Sequence, residues 1–329
     1  MGEAIPKTVA QYALAQLRSG IRQYNGPMHI AITGATGFLG RYIVRHLAGA
    51  GHHLRCWYRP SSDRAGFEHV ADSVIWLPGG LGDAAATTAL VGGMDAVVHA
   101  AVQWQGPGNR RGESQGDIHA FLEANLMGSL LLFQAARQAG VARFIFISSC
   151  AVHDVILTDR PLDETHPLWA ASHYGAHKGA LEKFVHSYGL GQGWPICALR
   201  PTGIYGLDHP PTRSRWFDLV GQVVRGEPIA TAKGGKEVHA ADVARAVELL
   251  LGADVKTIAG QAYNCYDRYV SEQEVARIAK ELTGSTSTID DLNRGPKHQI
   301  VTDRIRALGM TFGGERRLRE TVAELIAAR

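Results

Sequence analysis

The feature that most constrains this chain is a glycine-rich turn, Thr33 to Gly40, with the sequence TGATGFLG. It follows a short apolar run, Met28 to Thr33, that has the length of a β-strand. It also opens a segment, Arg41 to Ala50, in which apolar residues recur at helical spacing. A strand, a glycine turn and a helix in this order form a phosphate site, because free N–H groups and the helix dipole face the anion.

Each glycine of the turn has a separate use in such a site. Gly34 permits the tight turn, Gly37 lets a pyrophosphate approach the backbone, and Gly40 lets the helix lie close on its strand. A glycine triplet alone is weak support, and a purely structural turn is the alternative. The strand and helix patterns on either side favour a dinucleotide site.

Composition narrows the class of protein. The chain has 329 residues, 45% hydrophobic and 20% charged, as in a globular protein of one large domain or slightly more. A net charge of +3 gives no support for nucleic acid or a membrane surface as partner, and no apolar run reaches the ~18 residues of a membrane span. The four cysteines and 15 histidines lack the spacing of metal ligands, so we expect no metal and a reducing, cytoplasmic location.

Residues 1–27 precede the first predicted strand. Their apolar residues fall near one face of a helix, without the continuous apolar core of a secretory signal. The pattern predicts a helical extension that packs on the body or on a partner subunit. A targeting segment is the alternative.

Strand-like runs and helical patterns then alternate along the chain. This order is typical of an α/β fold with a doubly wound parallel sheet, the Rossmann type. The clearest helical pattern is Phe121 to Gln138. Further strands are predicted at His53 to Tyr58, Ser73 to Leu77, Asp95 to Val102, Ala142 to Ser148 and Pro195 to Arg200.

The end of the second predicted strand bears on cofactor choice. An acid about 20 residues after the glycine turn would bind a ribose 2′-hydroxyl and repel a 2′-phosphate. Arg59 lies there instead, with Ser61 and Ser62 as further donors, so the sequence favours NADP over NAD. A solvated Arg59, or one that stacks on adenine, would leave the choice open.

Ser149, Tyr174 and Lys178 are the candidate catalytic residues. Tyr174 and Lys178 are four residues apart, so on a helix they share one face. A nearby ammonium and a nicotinamide cation would lower the tyrosine pKa from about 10 toward the working range of a base. Ser149, at the end of a predicted strand, would hydrogen-bond the substrate oxygen. A surface Tyr/Lys pair is the alternative, which the order of the motifs disfavours.

Seven motifs together resemble an extended short-chain dehydrogenase/reductase of the NAD-dependent epimerase/dehydratase family, from Met28 to the C-terminus. Besides the glycine turn, the matching segments are His99 to Ala101 (HAA), Asn125 to Gly128 (NxxG), Ile147 to Val152 (SSxAV), Tyr174 to Lys178 (YxxxK), Arg200 to Gly206 (RPxxxYG) and Val238 to Val243 (VHVDDV).

The resemblance implies catalytic roles for Ser149, Tyr174 and Lys178. It implies a dinucleotide-binding domain at 28–206 that 238–267 complete, and a small substrate lobe at 207–237 and 268–329. It also implies a homodimer, for which Leu126, Leu130, Leu181 and Val185 could supply the face. The implied cofactor-lining residues are Gly34, Thr36, Gly37, Phe38, Leu39, Gly40, Leu81, Ala100, Ala101, Tyr174, Lys178, Pro201 and Ile204.

The chain departs from the family pattern at several positions. Gly79-Gly80-Leu81 replaces the usual Gly-Asp-Leu, His153 a tyrosine, and Gly203 an asparagine. Gly235, with Lys236 beside it, replaces the arginine that holds the diphosphate in sugar-nucleotide epimerases. The run Leu54 to Arg64 is more similar to the dihydroflavonol-reductase-like branch.

Three functions therefore stay open. The first is an NAD(P)-dependent epimerase, dehydratase or reductase acting on a sugar nucleotide or a similar small hydroxyl compound. The second is a dihydroflavonol-reductase-like NADPH-dependent ketone reductase. The third is a cofactor-binding regulator without turnover, against which the intact Ser149, Tyr174 and Lys178 argue.

Two polar loops are expected to shape the substrate pocket. Gln103 to Asp117 contains Trp104, Arg110 and Arg111, and Leu207 to Trp216 contains Arg213 and Arg215. The arginine pairs would bind an anionic substrate or would be solvated. Asp242 is expected to be the N-cap of a helix from Val243 to Leu251.

Overall fold

A seven-stranded sheet forms the centre of the molecule in the computed structural model, which describes residues 26–104, 117–292 and 295–329. All neighbouring strands are parallel, in the order β3-β2-β1-β4-β5-β6-β9. The predicted doubly wound parallel sheet is thereby confirmed. The strands are β1 (His29–Thr33), β2 (His53–Tyr58), β3 (Val74–Pro78), β4 (Ala96–His99), β5 (Arg143–Ile147), β6 (Ile196–Pro201) and, later in the chain, β9 (Gln261–Cys265).

Helices cover both faces of this sheet because successive strand residues point to opposite sides. Ile30 and Ile32 face a core shared with α1 and α7, whereas Ala31 faces a core shared with α2, α4 and α5. The helices are α1 (Phe38–Gly49), α2 (Ala84–Val91), α3 (Ile118–Leu122), α4 (Gly128–Gln138), α5 (His173–His186), α6 (Phe217–Val224), α7 (Ala240–Gly252), α8 (Val255–Ile258), α9 (Glu272–Thr283), α10 (Asp303–Ala307) and α11 (Gly314–Ala327).

A second, three-stranded sheet lies beside the carboxyl end of β6. Its strands are β7 (Gly203–Tyr205), β8 (Gly234–His239) and β10 (Arg268–Ser271), in the order β10-β8-β7. β7 runs parallel to β8 and β10 antiparallel to it. Tyr205 and Val270 of this sheet pack with α6, α9 and α11 into a third core. The second sheet and these three helices thus share a hydrophobic core of their own.

Some predicted elements differ in their bounds. The helix predicted from Phe121 begins at Ile118, and its segment Glu123–Met127 is a π-helical turn between α3 and α4. β4 ends at His99 and not at Val102. The backbone N–H of Ala101 donates to the Thr33 side chain at 3.2 Å and so takes no part in the hydrogen bonds between strands.

The expected role of Asp242 is wrong. Helix α7 begins at Ala240, and its N-cap is His239, whose Nδ1 accepts from Ala241 N at 3.0 Å. Asp242 lies in the first turn, and its carboxylate accepts from Gly313 N at 2.9 Å. It therefore ties α7 to the start of α11.

The proposed dimer face also needs correction. Leu181 and Val185 are 0% and 1% exposed and fill the core between α5 and the sheet, so they are not free to pair with a second chain. Leu126 and Leu130 are partly buried against the same core. Met127, in the π-helical turn before α4, and Phe184, on α5, are exposed apolar side chains.

The predicted N-terminal helix falls on residues of which 1–25 lie outside those described. Within the described ranges, none of the helices combines the length and the apolar composition that crossing a bilayer requires.

Candidate active site

The glycine turn between β1 and α1 is shaped by contacts that leave no room for side chains. Gly34 has a φ of +71°, and a Cβ there would lie 2.8 Å from the backbone of Ala100 and Ala101. A Cβ on Gly40 would lie 2.0 Å from the Gly34 carbonyl oxygen. Gly37 caps α1 without a side chain, so the N–H groups of the first turn are left open to an anion.

The other predicted cofactor-lining residues surround this turn. Thr36, Phe38 and Leu39 are partly exposed on the turn and the start of α1. Pro201 is buried at the end of β6, and Ile204 is partly buried on β7. Their roles toward a dinucleotide stay predictions.

A buried histidine joins the ends of β1 and β4. His99 Nδ1 lies 2.7 Å from the Thr33 hydroxyl, and its Nε2 lies 2.8 Å from the Ser129 hydroxyl. Burial and the nearby Lys178 lower the pKa of His99 well below its usual value, so the ring is neutral. It therefore holds two strand ends together by hydrogen bonds rather than by charge.

Asn125 fixes the chain just after β4. It lies in the π-helical turn, and its side-chain amide accepts from Gln103 N at 2.7 Å and donates to Gln103 O at 2.9 Å. The next residue, Trp104, packs on the ring of Tyr174 with ring centroids 5.1 Å apart. A π-helical turn often marks a functional position. Here, through Asn125, it fixes the backbone next to Trp104, which packs on the candidate catalytic residue Tyr174.

Ser149 and Tyr174 lie close together because α5 packs against the turn after Ser149 at a glycine, Gly175. Ser149 follows β5, and Tyr174 lies in the first turn of α5. A Cβ on Gly175 would lie 2.2 Å from the Ala151 carbonyl oxygen, so only glycine lets α5 approach the turn after Ser149 this closely. The Ser149 hydroxyl lies close enough to the Tyr174 phenol to lower its pKa. The sequence analysis missed the role of Gly175, which follows from no local pattern.

Lys178 lies one turn further along α5, buried beneath Tyr174. Its Nζ donates to Ile147 O at 2.8 Å and lies 5.9 Å from the centre of the Tyr174 ring. Burial lowers the pKa of Lys178 to about 7, and the charge of Glu182 opposes this shift.

The pKa of Tyr174 differs from the sequence expectation. Burial raises it above its usual value, and the hydrogen bond from Ser149 only partly offsets this. The Lys178 ammonium bonds to a carbonyl oxygen and not to the phenol. In the chain by itself, Tyr174 is therefore a neutral phenol near pH 7.

A buried ion pair lies next to the end of β5, which Ser148 and Ser149 follow. Arg200 and Glu182 are 1% and 0% exposed, with Nη2 and Oε2 2.6 Å apart. Glu182 also accepts from the Ser148 hydroxyl at 2.5 Å. Arg200 Nη1 donates to His153 Nε2 at 3.3 Å, so the histidine that replaces the family's tyrosine serves as a neutral acceptor. Burial and the charge of Arg200 lower the pKa of His153 to about 4.

Arg59 lies at the rim of a shallow pocket of about 480 Å³ at the carboxyl ends of β2 and β3. Its side chain is exposed, and its backbone N–H donates to the Ser62 hydroxyl at 2.9 Å. The pocket also contains Leu81 and Asp83. The sequence analysis did not foresee Asp83, which caps α2 through Ala86 N at 2.9 Å.

The loop after β2 is held by Arg41 on α1. Its guanidinium donates to Asp63 O at 2.7 Å and to Ala65 O at 2.6 Å. Arg64 covers the Tyr58 ring, with its Cζ 4.2 Å from the ring centre. Two arginines, Arg59 and Arg64, thus flank the end of β2.

The predicted pocket loops are only partly described. Of the loop from Gln103 to Asp117, residues 105–116, with Arg110 and Arg111, lie outside the described residues. In the second loop, Arg213 lies 3.8 Å from Asp208, and Arg215 lies 2.6 Å from the buried Glu237. Arg215 is therefore paired with a buried acid, whereas the side chain of Arg213 is 55% exposed to solvent.

The family model for NAD-dependent epimerases and dehydratases matches residues 30–265. This span contains the glycine turn, Ser149, Tyr174 and Lys178. The chain belongs to the NAD-dependent epimerase/dehydratase family.

Individual relatives match shorter stretches. Mouse dTDP-D-glucose 4,6-dehydratase is 30% identical over 168 residues, which are 49% of this chain and 45% of the mouse protein. UDP-glucose 4-epimerase of Rhizobium meliloti is 35% identical over 108 residues, 32% of each protein. A 3-beta-hydroxysteroid dehydrogenase of Mycolicibacterium neoaurum is 29% identical over 182 residues, 54% of this chain and 48% of that protein. The chain spans about half or less of the length of these relatives.

Solved structures support the same fold. UDP-glucose 4-epimerase of Thermus thermophilus, in complex with NAD, has a TM-score of 0.71 and 23% identity, covering 92% of this chain and 100% of the other. A dTDP-glucose 4,6-dehydratase of Streptomyces venezuelae, with NAD and TYD bound, has a TM-score of 0.71 and 23% identity over 90% and 96% of the two chains.

Two departures from the epimerase/dehydratase pattern have a common structural cause. Gly203 and Gly235 lie on either side of the Glu237 carboxylate, and a Cβ would lie 2.4 Å from Glu237 Oε2 at Gly203 and 2.2 Å from Oε1 at Gly235. Neither an asparagine nor an arginine fits at these positions while Glu237 keeps its place beside Arg215. The glycines therefore belong to one rearranged polar cluster.

Proposed function

We propose that this family member catalyses NAD(P)-dependent hydride transfer at a hydroxyl or keto carbon of a small molecule. The observation that carries the proposal is the placement of the Ser149 hydroxyl beside the Tyr174 phenol, with Lys178 one helical turn away, and with a glycine turn whose following helix has no side-chain cap. A binding module without turnover has no need of this arrangement.

The chain's own residues suggest how the reaction proceeds. Ser149 and Tyr174 would both hydrogen-bond the substrate oxygen, and Tyr174 would donate its proton as a carbonyl becomes a carbinol and take it back in the reverse direction. Burial keeps Tyr174 protonated, which suits the donating role. Lys178 would bind the nicotinamide ribose, and the turn after β1 would bind the pyrophosphate. When bound, the dinucleotide supplies or accepts the hydride.

Substitution of Tyr174 tests this proposal. Tyr174→Phe should remove most turnover and leave dinucleotide affinity nearly unchanged, whereas Lys178→Ala should weaken both. A thermal-shift screen of nicotinamide cofactors with sugar nucleotides and small ketones would first identify a substrate. Near wild-type turnover by the Phe variant would refute the role of Tyr174.

For the substrate, we infer a sugar nucleotide or a similar hydroxyl compound. Relatives named as dTDP-D-glucose 4,6-dehydratase and UDP-glucose 4-epimerase support it. The second candidate is a dihydroflavonol-reductase-like NADPH-dependent ketone reductase, which the two arginines at the end of β2 favour. Turnover of a ketone with NADPH, without turnover of any sugar nucleotide, would decide for the second.

We further propose that the chain prefers NADP. Arg59 at the pocket rim would pair with a 2′-phosphate, and Arg64 lies on the same loop. Arg59→Ala should weaken NADPH binding about ten- to a hundredfold and leave NADH binding little changed. Arg59→Asp should reverse the preference. If the wild type binds NADH at least as tightly as NADPH, NAD is the cofactor and Arg59 has another role.

Assembly and location complete the proposal. We propose a homodimer that pairs through α5 and the π-helical turn before α4, where Phe184 and Met127 are 40% and 51% exposed. A monomer by light scattering at micromolar concentration would refute it. The four cysteine thiols are unpaired, which supports a cytoplasmic location. Localisation of a tagged chain outside the cytoplasm would refute that location.

A further inference from the structure

Among the described residues, aromatic rings from three segments meet at the candidate catalytic residue Tyr174. Trp104, which follows β4, packs on the Tyr174 ring with the ring centroids 5.1 Å apart and the planes tilted by 34°. His177, on α5, contacts the same ring with the centroids 5.3 Å apart and the planes at 59°. Phe121 of α3 packs edge-on against His177, with the centroids 5.0 Å apart. The Tyr174 ring thus contacts two rings, one of which is backed by a third.

His177 is the interior member of this cluster. Its side chain is 2% exposed and that of Phe121 is 8% exposed, whereas Trp104 is 37% exposed. A side chain that is packed on this scale cannot shift without displacing its neighbours, because protein interiors have few voids. The place of the His177 ring therefore limits where the Tyr174 ring can lie.

The contact of His177 with Tyr174 depends on the ring and not on a charge. Burial and the nearby charge of Lys178 lower the pKa of His177 to about 3, so the imidazole is neutral at pH 7. Tilted and edge-to-face pairs of rings are favourable at centroid distances of about 4.5–7 Å, and both contacts of His177 fall in this range. His177 therefore acts on Tyr174 through packing.

The polar groups that face Tyr174 act on its proton instead. The Ser149 hydroxyl and the Cys150 thiol both lie close enough to affect the pKa of the phenol. Burial raises the pKa of that thiol to about 12, so it is uncharged at pH 7. The Lys178 ammonium donates to Ile147 O and lies 5.9 Å from the centre of the Tyr174 ring. None of these contacts grips the ring itself as His177 does.

We propose that His177 is a positioning residue, whose ring, backed by Phe121, holds the Tyr174 phenol in place beside Ser149. The inference rests on the proposed hydride-transfer function and adds a residue to it. Proton transfer requires the phenol oxygen within hydrogen-bond reach of the substrate oxygen, so a displaced ring slows the reaction. His177 itself exchanges no proton with the substrate.

NMR of the full chain tests this contact without a substrate. Tyrosine labelled with ¹³C at Cζ reports the ionisation of each phenol, and Tyr174→Phe identifies the signal of Tyr174. In the wild type this signal should titrate at higher pH than free tyrosine, because burial raises its pKa. His177→Ala opens space for water beside the ring, so the titration should move to lower pH. His177→Phe keeps a ring in contact and should titrate as the wild type does.

The matched control is His173→Ala. His173 is exposed and lies directly before Tyr174 on the same helix. Its replacement should leave the titration of Tyr174 unchanged.

Kinetics on a substrate found by screening give a second readout. His177→Ala should lower kcat by up to about a hundredfold, since misplacement of a reacting group by about 1 Å can cost that much. KM and dinucleotide affinity should change little, and His177→Phe should restore most of kcat. Phe121→Leu removes the ring behind His177 and leaves Tyr174 in direct contact, so it should lower kcat by a smaller factor. This variant carries the test if melting curves show that His177→Ala does not fold.

The outcomes separate this inference from the proposed function. Wild-type titration and wild-type kcat in His177→Ala would overturn the role of His177, and so would His177→Phe if it were as impaired as His177→Ala. A lower melting temperature with both readouts unchanged would show a merely structural residue and would contradict the proposal as well. If the wild type binds no nicotinamide dinucleotide, the proposed function fails instead, while the NMR titration still decides whether His177 holds Tyr174.

Discussion

Removal of Glu182 tests how much the buried pair of Glu182 and Arg200 contributes to the stability of the protein. Its carboxylate accepts three hydrogen bonds from Arg200, at 2.6, 3.0 and 3.1 Å, and one from Ser148 at 2.5 Å. Both members of the ion pair are buried. Glu182→Ala would leave the Arg200 guanidinium buried beside a neutral imidazole, that of His153, and the carbonyl of Glu164.

The expected cost is large for one substitution. Breaking a buried pair by removal of one partner typically costs about 3–5 kcal/mol, whereas domains are stable by only about 5–15 kcal/mol. Replacing both partners, as in Glu182→Met with Arg200→Met, should cost much less than the single change, because no uncompensated charge remains. With the single variants Glu182→Met and Arg200→Met, the double variant closes a cycle that isolates the interaction between the two side chains.

Urea unfolding at pH 7 measures these effects. The single Glu182→Ala change should lower the unfolding midpoint at an unchanged m-value. The exposed pair of Glu281 and Arg319, joined at 2.8 and 2.9 Å, is the matched control, and Glu281→Ala should change the midpoint little. A loss below about 1 kcal/mol for Glu182→Ala, or a double variant as unstable as the single one, would refute the reasoning.

Three further predictions concern the site. Burial lowers the pKa of Lys178 from 10.5 in the unfolded chain to about 7 in the folded one, so the unfolded chain binds more protons between these pH values. The free energy of unfolding of the wild type should therefore rise with pH over this range, by at most about 5 kcal/mol. Urea titrations at pH 7 and 9.5 measure this rise, which Lys178→Met should abolish. Gly34→Ala should remove dinucleotide binding by calorimetry because its Cβ meets Ala100, and Gly49→Ala, which meets nothing within 4 Å, should not. Asn125→Leu should lower kcat without loss of dinucleotide affinity, since it frees the chain that carries Trp104.

The local sequence determined the secondary structure and the glycine turn after β1. Strand-length apolar runs, helical spacing and the glycine turn are short-range patterns, because the backbone periods of strand and helix repeat within a few residues. They therefore predicted the parallel sheet, the turn after β1 and the placement of Tyr174 and Lys178 on one helix.

Packing between distant segments decided the electrostatics of the site. Arg200 meets Glu182 from another element, Gly175 lets α5 reach the turn after Ser149, and burial rather than an adjacent ammonium sets the pKa of Tyr174. A single sequence shows which side chains carry charge. Which charges meet depends on strand order and helix packing, because both bring together residues that are remote in the chain.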